Sequence, residues 1–135
     1  MQRNQSERPT LFLIYFSEDS ELNKLAQENT NCKLIPYSTP KYTIENGITT
    51  IANTELLIFG NHNLQNLNAA KLVCEKLGVS NKDFYKQIAS FKGASNRLEL
   101  VKRTETSVIY KDFAHSPSKL KATSSSMKKQ FKDRE

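Results

Sequence analysis

Residues 11–37 read LFLIYF, SEDSELNKLAQENTNC, KLIPY, and this stretch decides the fold class. Leu11 to Phe16 is a continuous run of large apolar residues. Such a run suits a strand buried on both faces, as in a parallel sheet. Ser17 is expected to cap a helix with Glu18 and Asp19 in its first turn, where the helix dipole favours acids. Leu22, Leu25 and Ala26 supply the expected buried stripe. Lys33 to Tyr37 is then a second strand. Strand, helix and strand in that order predict an α/β domain.

Working outward, residues 1–10 are polar and aperiodic and read as a flexible arm. Downstream, Pro36 and Pro40 break the pattern. Tyr42 to Ile44 and Ile48 to Ile51 flank Asn46-Gly47, the pair that most favours a two-residue hairpin turn. Leu56 to Phe59 adds a third short strand, ended by Gly60. Leu64, Leu67, Ala70, Val73, Cys74 and Leu77 recur at helical spacing, with Gly78 as terminator. Ser80 and Asp83 resemble a capping box for the next helix, whose stripe is Phe84, Ile88 and Phe91 and whose end is Gly93. Arg97 to Lys102 and Ser107 to Tyr110 read as two strands. Ser116-Pro117 opens a last helix with Leu120, Thr123, Met127 and Phe131 on one face. The chain ends where a sheet is expected to continue, which reads as the opening of a further domain.

The 135 residues fit one domain or parts of two. With 37% hydrophobic and 25% charged residues the composition is polar but globular. The longest apolar run is far too short to span a bilayer, and there is no signal-peptide pattern. The net charge of +6 is concentrated after residue 101. That basic end reads as a solvated Lys-rich helix face rather than a nucleic-acid surface, since no aromatic platform or RNA-binding signature accompanies it. Cys32 and Cys74 lack zinc-ligand spacing and read as reduced core thiols. These features point to the cytoplasm, with no membrane partner and no metal ligands in the chain.

The chemistry-bearing residues fall in three clusters. Gly60-Asn61-His62-Asn63-Leu64-Gln65-Asn66 lies where a strand passes into a helix N-terminus. Backbone N–H groups and Asn side chains there suit a heterocycle or an anion, although Asn61 or Asn63 as a plain helix cap explains the same residues. Asn66 is expected in the first turn, beyond the cap. Arg97 is a fixed charge suited to a phosphate, or to a salt bridge. Tyr110-Lys111-Asp112-Phe113-Ala114-His115-Ser116-Pro117 runs from a strand end into a helix, the usual ligand edge of an open α/β sheet, or a capped turn. No phosphate-binding G-x-x-x-x-G-K-[ST] loop, G-x-G-x-x-G or G-x-S-x-G occurs.

Taken in order and spacing, the Gly60–Asn66 cluster, then Phe91-Lys92-Gly93-Ala94-Ser95-Asn96-Arg97-Leu98-Glu99, then Tyr110–Pro117, resemble three successive motifs of the Mur ligases, the ATP-dependent amide ligases of peptidoglycan synthesis. The Ala-His-Ser-Pro form of the third motif is most similar to the UDP-N-acetylmuramate ligase branch, which includes the L-alanine-adding enzyme and the murein peptide ligase of cell-wall recycling. The Tyr110–Lys119 stretch leans toward the recycling ligase. Lys111 and Ser116 depart from the pattern, since many members carry an acid and a His there.

The resemblance implies that residues 11–95 are the C-terminal part of the central ATPase α/β domain, with its small antiparallel sheet. Residues 96–135 would be the first β-β-α segment of the C-terminal Rossmann-like domain. It implies that His62, Asn63 and Asn66 line the adenine pocket. Arg97 would be the catalytic contact to the ATP phosphates, Asp112 would face the ribose, and His115 would shape the pocket. ATP and Mg²⁺ are the implied cofactors, with the phosphate loop and the Mg²⁺ ligands upstream. The implied substrates are UDP-N-acetylmuramate and an amino acid or peptide. Two other readings stay open: a non-catalytic nucleotide-binding or adapter module, and a basic polyanion binder working through residues 119–134.

Overall fold

The computed structural model describes residues 10–28 and 31–132. The arm expected over residues 1–10 therefore lies, except for Thr10, outside the described residues. Two compact units divide at Ser38/Thr39, so both sides of the family boundary expected at 95/96 fall in the second unit.

The first unit is the expected β-α-β. Strand β1 (Phe12–Phe16) pairs in parallel with β2 (Lys33–Tyr37), from Phe12 opposite Lys33 to Phe16 opposite Tyr37. Pro36 does not break β2 but sits inside it opposite Tyr15, as an edge strand permits. Helix α1 (Ser20–Glu28) lies between them in sequence. Its cap is Asp19 rather than Ser17: Asp19 Oδ1 accepts the Leu22 N–H at 2.9 Å. Ser17 instead ties the strand ends together, its N–H and Oγ both donating to Tyr37 O at 2.9 and 3.0 Å. Of the expected stripe only Ala26 is buried, while Leu22 and Leu25 are exposed. A two-stranded sheet is too narrow to cover three helical positions. Tyr15 anchors the helix by polar contacts, its hydroxyl donating to Asn23 Oδ1 at 3.4 Å and accepting from Gln27 Nε2 at 3.3 Å.

The second unit opens with an antiparallel sheet of β3 (Thr43–Glu45), β4 (Ile48–Ile51) and β5 (Thr54–Leu56), in that spatial order. Asn46 and Gly47 take φ of 51° and 73° between Glu45 and Ile48, the mirror-image turn that their sequence demands. A second two-residue turn, Ala52-Asn53, repeats the conformation at φ 47° and 63°. It moves the third strand to residues 54–56, earlier than the expected 56–59. Ala carries no turn signal, and only Asn53 hinted at the change of direction.

Helix α2 (Asn61–Lys76) ends as expected. Val79 N–H reaches Cys74 O and Gly78 N–H reaches Glu75 O, the paired bonds of a Schellman end. Helix α3 (Asn81–Ile88) is capped by Ser80, whose Oγ accepts the Asp83 N–H at 3.1 Å and donates to Asp83 Oδ2 at 2.6 Å. Gly93 does not end α3, which stops at Ile88. Ile51, Leu56, Ile58, Leu64, Leu67 and Phe84 form the core between the sheet and these helices. Leu64 is wholly buried; truncating such a side chain to Ala costs about 2–5 kcal/mol. Val73, Leu77 and Phe91, expected in the stripes, are exposed.

The antiparallel pair β6 (Glu99–Arg103) and β7 (Val108–Lys111) carries an irregularity between Leu100 and Lys102. Helix α4 (Pro117–Gln130) begins as its sequence predicts, with Ser116 Oγ accepting from Lys119 N–H. Its expected apolar face is partial, since Leu120 is exposed. Its C-terminal end is fixed by polar and aromatic contacts. Thr49 Oγ1 donates to Gln130 Oε1 at 2.8 Å, and Gln130 Nε2 donates to Gly47 O at 2.8 Å. Phe131 meets Phe59 and Tyr110 with ring centroids 5.9 Å away from each, and Phe59 meets Tyr110 edge-on at 5.1 Å. These contacts bind α4 and β7 to the sheet and so enclose the site below.

Candidate functional site

At the start of α2 the helix has no side-chain cap. Gly60 occupies the cap position at φ 86°, and an added Cβ would lie 2.7 Å from Ser126 Oγ. Only glycine lets this turn approach α4 so closely. Capping by Asn61 or Asn63 is therefore not what the cluster does. Asn61 Oδ1 accepts the Tyr42 hydroxyl at 2.7 Å, and Asn63 Nδ2 donates back to Phe59 O at 2.9 Å. His62 and Asn66, four residues apart, share one face of α2. Asn66 is in the second turn, one turn later than expected, because the helix begins at Asn61.

That face borders a cavity of about 650 Å³, inside the range of small-molecule sites. His62, Asn66, Arg97, Asp112 and His115 all line it. Five of the six residues singled out in the sequence thus converge from segments up to 53 residues apart in the chain. Asn63 does not line it. Phe113, Ser118, Lys119 and Thr123, which sequence reasoning did not single out, do. Phe113 stood inside the third motif, and its large exposure offers a ring face at the cavity edge.

The junction before β6 shapes one wall. Asn96 and Leu98 have positive φ, 57° and 48°. Phe113 N–H donates to Asn96 O at 2.8 Å, and Leu98 N–H donates to Asp112 Oδ2 at 2.9 Å. The other Asp112 oxygen accepts from Thr123 Oγ1 at 3.2 Å. Asp112 thus joins the junction to α4 and leaves its remaining lone pairs toward the cavity. Glu99 accepts from Asn96 N–H and Ser95 Oγ, at 2.8 and 3.2 Å, and these bonds hold its carboxyl below the usual range. Arg97, between the two strained residues, is exposed.

Burial pushes the half-buried His62 imidazole below its ordinary pKa; nearby Asp112 opposes this and Arg97 adds to it. His62 therefore meets a ligand as a neutral ring at pH 7, able to donate through one nitrogen and accept through the other. His115 Nδ1 lies 3.1 Å from Phe113 O. A carbonyl only accepts, so Nδ1 carries a proton in this contact. The cavity thus combines cations (Arg97, Lys119), one carboxylate (Asp112), two amides (Asn66, Asn96), two imidazole rings and an aromatic face. Groups of these types can meet a nucleoside phosphate: amides and imidazoles can pair with a base, a carboxylate with hydroxyls and a guanidinium with phosphate. Among the described residues no group of three or more His, Cys, Asp or Glu is placed to hold a metal ion.

No family model matches the chain. It is 40% identical over 79 residues to a UDP-N-acetylmuramate–L-alanine ligase of Caldicellulosiruptor bescii, covering 58% of this chain and 17% of the relative. It is 31% identical over 123 residues to the ligase of the same name from Caldicellulosiruptor saccharolyticus, covering 90% of this chain and 26% of that protein. Among solved structures, MurF from Acinetobacter baumannii superposes with a TM-score of 0.70 at 18% identity, over 87% of this chain and 29% of that one. Folylpolyglutamate synthetase from Lactobacillus casei superposes at 0.61 and 16% identity, over 90% and 35%. The chain spans about a quarter or less of the length of these two curated relatives.

Proposed function

We propose that the chain is a segment of a Mur ligase and forms the nucleotide-facing part of an ATP-dependent amide ligase of peptidoglycan synthesis, a reading supported by its similarity to the two curated ligases. The observation that carries this reading is the meeting of His62, Asn66, Arg97, Asp112 and His115 around one cavity of nucleotide size. In the proposed reaction, ATP activates a muramyl carboxylate to an acyl phosphate, and an incoming amine displaces phosphate to form the amide. Asn66 and neutral His62 bind the adenine edge, and Asn63 fixes the turn from behind. Arg97 neutralises charge on the phosphates, the dominant demand in phosphoryl transfer. Asp112 accepts from the ribose, and His115 closes the pocket side.

We assign UDP-N-acetylmuramate as the acid substrate and the cytoplasm as its place of action. L-alanine is the amine that the names of both relatives suggest, in preference to a recycled peptide. Mg²⁺ would shield the phosphates, on ligands outside these residues. Because these 135 residues hold no phosphate loop, they are expected to give no detectable amide synthesis alone.

The test is equilibrium binding of a fluorescent ATP analogue to the chain and to Arg97→Gln. Binding that Arg97→Gln weakens about tenfold supports the reading. Binding untouched by the substitution, or no binding at all, overturns it.

A further inference from the structure

A second cavity, of about 310 Å³, shares His62 with the first and is bordered by Tyr42, Asn61, Gln65 and Lys129. An open groove bordered by Lys41 and Lys132 shares Tyr42 and Lys129 with it. No carboxylate lines either one among the described residues. The hydrogen bonds here have a forced direction. Lys129 Nζ contacts the Tyr42 hydroxyl, and an ammonium can only donate. The hydroxyl accepts that bond and therefore donates its own proton to Asn61 Oδ1, at 2.7 Å. Asn61 Oδ1 being the acceptor, its amino group is the end left for the cavity. Lys129 uses one of three protons on Tyr42.

We propose that this second cavity binds a small oxyanion, the phosphate or carboxylate group of a ligand, between Lys129 Nζ and Asn61 Nδ2. The chain Lys129–Tyr42–Asn61 presents only donors, and charge-assisted bonds to an oxyanion use them fully. Lys41 and Lys132 at the rim add positive potential that draws an anion in. Gly60, Ser125 and Ser126 also border this cavity. Neither Lys129 nor Asn61 lines the first cavity, so the proposed contacts are separate from those of the nucleotide reading.

The test follows amide shifts of the whole chain during titration with sodium phosphate, and separately with sodium acetate, against sodium chloride at matched ionic strength. Saturable shifts at the Asn61 side chain are expected with one salt or both, and the effective salt identifies the group bound. Lys129→Met should weaken that binding about tenfold. Asn61→Asp, which gives Lys129 its own carboxylate, should abolish it and covers the case of a poorly folded Lys129→Met. Lys82→Met, a surface lysine elsewhere, should change nothing. Shifts that only follow chloride overturn the proposal. So does binding that survives Lys129→Met but is lost in Arg97→Gln, which would put the anion in the first cavity.

Discussion

Asp112 Oδ2 accepts the backbone N–H of Leu98 at 2.9 Å, and Leu98 is a branched residue held at φ 48°. A left-handed conformation costs a non-glycine residue on the order of 1–2 kcal/mol. The carboxylate helps meet that cost and, through Thr123, carries the same constraint to α4. The proposed ribose contact is therefore also the group that sets the wall beside Arg97.

Asp112→Asn keeps the size but halves the acceptor capacity and removes the charge. The expected result is a loss of about 1–3 kcal/mol of stability, since hydrogen bonds to charged groups fall in that range. Nucleotide affinity should fall with it. Leu98→Gly, which tolerates positive φ, should recover part of the affinity in the Asp112→Asn background, although it gives up the packing of a buried side chain. Denaturant midpoints and analogue binding on the single and double variants check this. Strictly additive affinities would sever the link between Asp112 and the strained residue.

Asn63 and Asn66, both on α2, are expected to separate cleanly. Asn66 lines the large cavity, whereas Asn63 spends its amide on Phe59 O. Asn66→Ala should weaken analogue binding about tenfold and leave the unfolding midpoint nearly unchanged. Asn63→Ala should lower stability by about 1 kcal/mol, the usual net worth of one hydrogen bond. Binding and thermal melts on both variants decide it, and a reversed pattern would exchange their roles.

Much of this was legible from local chemistry. Asn46-Gly47, Ser80 with Asp83, Gly78 and Ser116-Pro117 each act within a few residues, and each forms the turn or cap that its sequence specifies. Residues whose roles depend on distant partners were not legible in that way. Leu22 and Leu25 match a buried stripe by spacing, but the sheet beside them has two strands. Ser17 is as good a cap as Asp19 by type, and only the hydrogen bonds to Tyr37 divert it. The site shows the same division. Its polar residues stood out as clusters, but the tie from Asp112 to Leu98 spans 14 residues and the donor chain from Lys129 to Tyr42 spans 87. No spacing rule connects them.

His62 gives stability a pH dependence of known sign. Its folded pKa lies below the ordinary imidazole value of 6.5 because burial disfavours the imidazolium. The unfolded state then binds the proton more readily, so stability rises with pH across the interval between the two values. The His62 contribution is fully present above about 6.5, shrinks as pH falls below it, and levels off beneath the folded pKa. Urea midpoints at pH 8, 6.5 and 5 should decline in that order. His62→Gln should flatten the decline relative to the parent chain. An equal slope in both would mean that another group carries it.

Thr49 and Gln130 form the most enclosed polar contact of the second unit, at 0% and 5% exposure. Thr49→Val is nearly isosteric but leaves Gln130 Oε1 without its donor in a dry setting. The expected loss is about 1–3 kcal/mol, the cost of a buried group left unpaired. Gln130→Leu abandons both the Thr49 hydroxyl and Gly47 O, and should cost more. The double variant should cost less than the sum of the two, by on the order of 1 kcal/mol, because the first change already forfeits the shared bond. The same contact holds the C-terminal end of α4 on the hairpin, and α4 borders both cavities through Ala122. Each variant should therefore also loosen analogue binding at temperatures well below its melt. Full affinity in a folded Gln130→Leu chain would show that α4 stays in place without this anchor, leaving the Phe59–Tyr110–Phe131 cluster to hold it.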